Sequence, residues 1–137
     1  MLIRQMTIGD YLQATELWQQ ASGVEVAEGD DFETLRGFLS RRHHSFVAVD
    51  KGEAIIGAVL CGDDGRRGYL YHLAVAAAHQ RRGIGTVLVQ HCLAALRGTG
   101  ILRATILVEL TNSAARAFWS SRGFEEISLA LPMGVDL

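Results

Sequence analysis

Cysteine is scarce in this chain. Cys61 and Cys92 are the only two, too few for a disulfide framework. No Cys/His set has the spacing of a zinc site, since His43-His44 has no second pair near it, so no metal is expected. Long apolar runs are also missing; none approaches the roughly 20 residues of a bilayer span, and no membrane partner is expected. The opening Met1-Leu2-Ile3-Arg4-Gln5 has no charged segment ahead of a long apolar one. Export is therefore not expected, and a cytoplasmic location is the default. A basic excess is missing too. The formal net charge is −2, whereas nucleic acid favours a broad basic face, so nucleic acid is not the expected ligand. The arginine pairs at 41–42 and 66–67 read as solvated loop charge. There is no internal repeat, linker or low-complexity stretch.

What is present is enough chain for one core. At 137 residues and 49% hydrophobic, residues 1–137 read as a single domain. Leu2 to Met6 reads as a strand. Thr7 is a plausible cap for a helix carrying Ile8, Tyr11, Leu12, Thr15 and Trp18 at helical spacing, to about Ala21. An acidic, glycine-bearing loop follows, Ser22 to Gly29, and Asp30 or Asp31 caps a second helix with Phe32, Leu35, Phe38 and Leu39 on one face. Ser45–Val49, Glu53–Cys61 and Tyr69–Val75 read as strands joined by short turns, hence antiparallel. A long, mostly apolar helix runs to Arg97 and ends at Gly98-Thr99-Gly100. Ile101–Leu110 reads as a strand, Thr111 or Asn112 caps a helix to about Arg122, and Phe124–Leu131 reads as a last strand. The order βααβββαβαβ makes an α/β domain with a mixed central sheet flanked by helices.

The chain is organised around Gln80-Arg81-Arg82-Gly83-Ile84-Gly85, between the strand ending Leu73-Ala74-Val75 and the long helix. Its glycines allow close backbone approach. The helix aims its unpaired N–H groups and about half a positive charge at the loop. Strand, glycine loop and helix start form an anion cradle. It is not a P-loop, which needs Gly-Lys-Ser/Thr. It is not a dinucleotide fingerprint, because Leu88 stands where a third glycine is required. A second motif follows after one strand: Asn112, Ala115 and Trp119 share a helical stripe, with Phe118 beside it and Gly123-Phe124 closing the segment. Taken alone, that helix reads rather as a small packed element, with Ala115, Phe118 and Trp119 as core.

Gln-x-x-Gly-x-Gly followed by Asn-x-x-Ala-x-x-Phe-aromatic-x-x-x-Gly-Phe resembles the paired signature of the GCN5-related N-acetyltransferase (GNAT) family, and the element order is similar to that fold. The resemblance covers essentially the whole chain. It implies transfer of an acetyl group from acetyl-CoA, as co-substrate, directly to an amine. It implies that Leu73, Ala74 and Val75 meet the pantetheine arm. Gln80 belongs to the same signature, in which Arg81, Arg82, Gly83, Ile84, Gly85 and Thr86 would hold the pyrophosphate, while Asn112, Ala115 and Phe118 would flank the cofactor. The family often protonates the departing thiolate with a tyrosine, in the position that Trp119 holds here. An indole N–H is no general acid near neutral pH, so Trp119 is left to hydrogen-bond the sulfur or shape the pocket.

Acyl transfer also needs a base, because only the free amine attacks. The candidates are His72, whose ordinary pKa suits the task, and Glu109, on the next expected strand; a water chain is a third option. Tyr71, with Tyr69, is a substitute acid by residue type, and strand alternation puts both on one face with Leu73 and Val75. An acyl-cysteine route through Cys61 or Cys92 lacks an adjacent base in sequence. The carboxylates Glu25, Glu28, Asp30 and Asp31 suit a cationic acceptor, or form a solvated loop. The acceptor is unidentified: a small amine, an amino-acid derivative or a protein N-terminus. A homodimer stays open. The alternatives to an enzyme are an acyl-CoA sensor with lost chemistry, for which Trp119 speaks, and an RNA-binding domain using the arginine pairs.

Overall fold

A computed structural model describes all residues from Met1 to Leu137. The elements are β1 (Leu2–Gln5), α1 (Tyr11–Gln20), α2 (Phe32–Leu39), β2 (Phe46–Val49), β3 (Ile55–Asp63), β4 (Gly68–Val75), α3 (Ile84–Gly98), β5 (Ala104–Thr105) and α4 (Ser113–Ser121). The chain divides into two packing units, Met1–Leu107 and Val108–Leu137.

The first unit holds a sheet in the order β1-β2-β3-β4-β5. The first four strands are antiparallel neighbours, and β5 joins β4 in parallel. Short turns dictate the antiparallel run. In the β2–β3 hairpin Asp50 Oδ1 accepts from the Gly52 and Ala54 N–H groups, each at 2.9 Å. In the β3–β4 turn Asp64 Oδ1 accepts from those of Arg66 and Arg67, each at 2.8 Å.

The sheet has a core on each face. On one side Met6, Ala14, Trp18, Leu35, Val47, Val49, Ile55, Ala58, Leu60 and Ala74 form a buried cluster beneath α1 and α2. On the other, α3 presents Ile84, Leu88, Val89, Cys92 and Leu96, all buried. The central strand β3 is therefore buried along almost its whole length, which explains its continuous apolar sequence. Two glycines let α3 lie close. A Cβ at Gly57 would come 3.0 Å from Leu88 Cδ1, and one at Gly68 would come 2.6 Å from Leu96 Cδ1.

The cap expected at Asp31 forms, whereas Thr7 makes no side-chain cap hydrogen bond and Asp10 precedes α1. Asp31 caps α2 by accepting from the Thr34 N–H at 3.1 Å, and a 3₁₀ turn over Ile8–Asp10 leads from Thr7 into α1. Two strands differ from expectation. The strand expected over 101–110 pairs only at Ala104 and Thr105. The last strand, expected over 124–131, does not form. Val108–Leu137 contains α4 and no strand, so nothing within that unit offers the backbone partner that a strand needs.

Candidate active site

The site begins with an irregularity in β4. Tyr71 lies opposite Leu60, while Ala74 lies opposite Ala58, so β4 carries one residue more than β3 across this interval. That is a β-bulge, of the type whose first residue sits at positive φ and is usually glycine. Here that residue is His72, at φ 53°. The bulge overturns the alternation expected for this strand. Tyr71 and Ala74 pair with Leu60 and Ala58, both in the cluster under α1 and α2. Val75 instead lies opposite Gly57, whose open side faces Leu88 and Ile84 of α3. Tyr69 and Tyr71 do share a face, with rings 6.2 Å apart and nearly parallel, but it is not the face of Val75.

The bulge also turns the His72 imidazole under α1. Its Nε2 lies 2.8 Å from Asp30 Oδ2, and its ring sits 5.3 Å from the buried Trp18 indole. Beside it, burial first, then Tyr69 and Cys61, pushes the Tyr71 phenol above its ordinary value. At neutral pH Tyr71 therefore keeps its proton.

Past the bulge, β4 has a neighbour on one side only. β5 reaches Gly68 and Tyr69 and goes no further, so residues 70–75, which include Leu73, Ala74 and Val75, offer backbone groups that no β5 residue pairs. An extended chain with amide groups can add to such an edge as a strand does.

The loop that follows is built to turn its amides outward. A 3₁₀ turn at Ala77–His79 leads to Gln80, whose side-chain amide donates to Val75 O at 3.1 Å and ties the loop to the strand end. Gln80 thus shapes the loop. Arg81 takes φ 63° and Gly83 φ 80°, a pairing of left-handed residues that makes a concave array of N–H groups. Val87 N donates to Gly83 O at 3.0 Å in the first turn of α3, and the amides of Ile84 and Gly85 stand at the helix start. A Cβ at Gly83 would meet no protein atom within 4 Å. Glycine stands there for its backbone angle, and the space above it is open. Arg81 and Arg82 are exposed beside it. Diphosphate chemistry fits this donor set: directed amides, two guanidinium groups and a helix N-terminus.

The second unit carries the other half of the signature. Asn112 Oδ1 accepts from Ala115 N at 3.0 Å and caps α4. Asn112, Ala115, Phe118 and Trp119 are its partly covered residues, with exposed ones between them. The Trp119 ring packs edge-on against Phe118 at 5.2 Å and near Phe124 at 5.0 Å. Glu109 is not on a strand. It is exposed in the turn before α4, where its carbonyl accepts from Asn112 N.

The acidic loop proves less free than its composition implied, since Asp31 is a cap and Asp30 is bonded to His72. Both cysteines are fully buried. A hydrogen bond to Cys61, then burial, pushes the Cys92 thiol up, the opposite of what a nucleophile needs. The sequence reading missed Asp30 as the partner of His72, because the two are 42 positions apart.

A sequence model of the Acetyltransferase (GNAT) family matches residues 11–124. The chain belongs to that family. Among its relatives, it is 35% identical over 105 residues to N-alpha-acetyltransferase 30 of Xenopus laevis, an alignment covering 73% of this chain and 38% of that protein. The chain therefore spans well under half of that relative. It is 28% identical over 108 residues to the ribosomal protein bS18-alanine N-acetyltransferase of Salmonella typhimurium, covering 66% of this chain and 73% of the other. Solved GNAT structures share the fold. The PaiA N-acetyltransferase of Thermoplasma acidophilum, in complex with coenzyme A, superposes at a TM-score of 0.80 with 19% identity, covering 90% of this chain and 89% of that one. The ribosomal-protein-S18-alanine N-acetyltransferase of Escherichia coli does so at 0.79 with 23% identity, covering 93% and 79%.

Proposed function

We propose that this GNAT protein moves the acetyl group of acetyl-CoA onto a primary amine, and that the amine is the α-amino group of a protein or peptide. The observation that carries the first half is the left-handed loop at Arg81–Gly83 beside the unpaired stretch of β4. The names of the two relatives above support the second half.

In this reading the amides of residues 81–85 and the two arginines bind the diphosphate, and the backbone of residues 73–75 receives the pantetheine arm as an added strand. Bound there, acetyl-CoA supplies an activated carbonyl. The ammonium first gives a proton to the His72 imidazole. The amine lone pair then forms the C–N bond, the C–S bond breaks, and the thiolate leaves with its electron pair. The thiolate takes a proton from a nearby acid, and the second amine proton, lost as the C–N bond forms, returns to that acid's conjugate base. A phenol that stays protonated at neutral pH suits that last step, so Tyr71 takes the role that Trp119 cannot fill. Holding amine and thioester together is itself worth about 7–11 kcal/mol of barrier in well-oriented systems. Exposure of Glu109 in its turn favours His72 over it as the base. With Cys61 and Cys92 buried, transfer is direct, within a ternary complex.

Calorimetry with acetyl-CoA, and release of free coenzyme A with an alanine-initiated peptide, test the reading. Wild type should bind and turn over. Gly83→Glu should abolish binding while circular dichroism stays native, because it sets a carboxylate among the phosphate donors at a left-handed backbone position. Undiminished binding by that variant would remove the cradle. Binding without turnover on any amine would replace the enzyme with a sensor.

A further inference from the structure

His72 and Asp30 come together from two elements remote in sequence, the bulge of β4 and the loop between α1 and α2. Their meeting is closely controlled. The imidazole is mostly buried, its side chain 18% exposed and that of Asp30 12%. Trp18, itself 1% exposed, walls one side of the ring. Asp30 is fixed in turn at three points. Its Oδ2 also accepts from the Ala27 N–H at 3.0 Å, its own N–H donates to Ala27 O at 3.1 Å, and its carbonyl accepts from the Tyr11 hydroxyl at 3.0 Å. Tyr11 is held by an edge-on contact with Phe32 at 5.3 Å.

We infer that Asp30 is a positioning residue for the acetyl transfer. Its carboxylate fixes the His72 tautomer with the proton on Nε2, so that Nδ1 carries the lone pair that accepts the amine proton. An ionised carboxylate only accepts, so the Nε2 facing it at 2.8 Å must be the N–H. In a neutral imidazole the other nitrogen then has the free pair. When that nitrogen takes a proton, the ring becomes a cation next to an anion already in contact with it, with no side-chain movement required. A second-row carboxylate does the same for histidine bases on unrelated folds. The bulge serves the arrangement as well, since a regular β4 would alternate residue 72 away from the face of Tyr71.

This rests on the reading of His72 as the base, and the test keeps the two apart. The groups able to titrate around the imidazole are Asp30 and Tyr11 from the α1 side and Tyr69 and Tyr71 from β4 itself. Acetylation of an alanine-initiated peptide by acetyl-CoA is followed against pH for wild type, His72→Ala, Asp30→Asn and Asp30→Ala. Long-range ¹H–¹⁵N spectra of the free proteins report the His72 tautomer. Wild type should show the Nε2–H form. Asp30→Asn keeps an oxygen that can accept from Nε2 but loses the charge, so kcat/KM should fall about 100-fold and its acidic limb should move. Asp30→Ala should release the second tautomer. If His72→Ala acetylates like wild type, the base assignment fails. If His72→Ala is inactive but Asp30→Asn slows the reaction without moving the acidic limb, Asp30 merely anchors the loop and the inference is overturned. A wild-type spectrum showing Nδ1–H overturns it without any activity measurement, even where Asp30→Ala does not fold.

Discussion

At the scale of single residues, the first unit is pinned by carboxylates that are buried because they are paired. Asp10, 6% exposed, accepts from both terminal guanidinium nitrogens of Arg4 at 2.8 Å and from the Thr7 N–H at 2.9 Å. One side chain thus joins β1 to the start of α1. Asp10→Asn cannot answer all these donors, and it leaves Arg4 without its counter-charge. Chemical denaturation should show a loss of about 2 kcal/mol, in the range for breaking a charged, partly buried hydrogen-bonded pair. The pair was not legible in the sequence, in which Thr7 stood out as a cap and Asp10 did not. His72 was legible by residue type and Asp30 by composition, but their contact depends on how a loop folds back over a sheet. The loop proposed to hold the diphosphate could be read from the chain alone because its parts are adjacent: the Gln80 side chain, the left-handed Arg81 and Gly83 and the helix start lie within a few positions.

At the scale of elements, the packing of α3 depends on what the sheet does not carry. Gly68 is the first residue of β4, and Leu96 fills the space where its side chain would be. Gly68→Ala should therefore destabilise the protein by roughly 1–3 kcal/mol, as overpacking does; a lower urea midpoint at unchanged slope is the expected signature. Apolar periodicity made the helices and the antiparallel run of strands predictable. It failed at β4 because a bulge resets the alternation without leaving a mark in the letters. It also failed after α4. There Ile127, Leu129, Leu131, Met133 and Val135 alternate as strand residues do, yet all are exposed. Pattern states which face a strand would show, and pairing decides whether the strand exists.

At the scale of the whole molecule, acid should act in two stages, because two kinds of buried group resist protonation. Burial, then His44, pushes His43 below its ordinary value, and His43 Nδ1 accepts the Ser45 N–H at 3.1 Å, which requires that nitrogen to be unprotonated. Burial alone would push the Asp63 carboxyl up, but hydrogen bonds from His44, Gly65 and Arg42 outweigh it and hold the group low; Asp10 is held low against burial by Arg4 and Thr7. All three have folded values below their unfolded ones. Their stabilisation is therefore complete above the unfolded value and is lost as pH falls through the folded one. Melting temperature should decline first below about pH 6.5, the ordinary histidine value, and again below about pH 3.9, the ordinary aspartate value. His43→Gln should weaken the first decline and leave the second. A single decline beginning only below pH 4 in the wild type would contradict the role given to His43.

The half-bare flank of β4 has a bearing on handling as well as on chemistry. Strand margins left without a neighbour are where protein chains adhere to one another, and folds commonly shield them with charge, kinks or covering loops. In the proposed reading this one must stay accessible to receive acetyl-CoA, so the shield has to be something that comes and goes. Whatever small molecule lies along residues 70–75 then doubles as a guard against self-association, and a preparation stripped of it would be expected to cloud sooner on standing than one kept saturated.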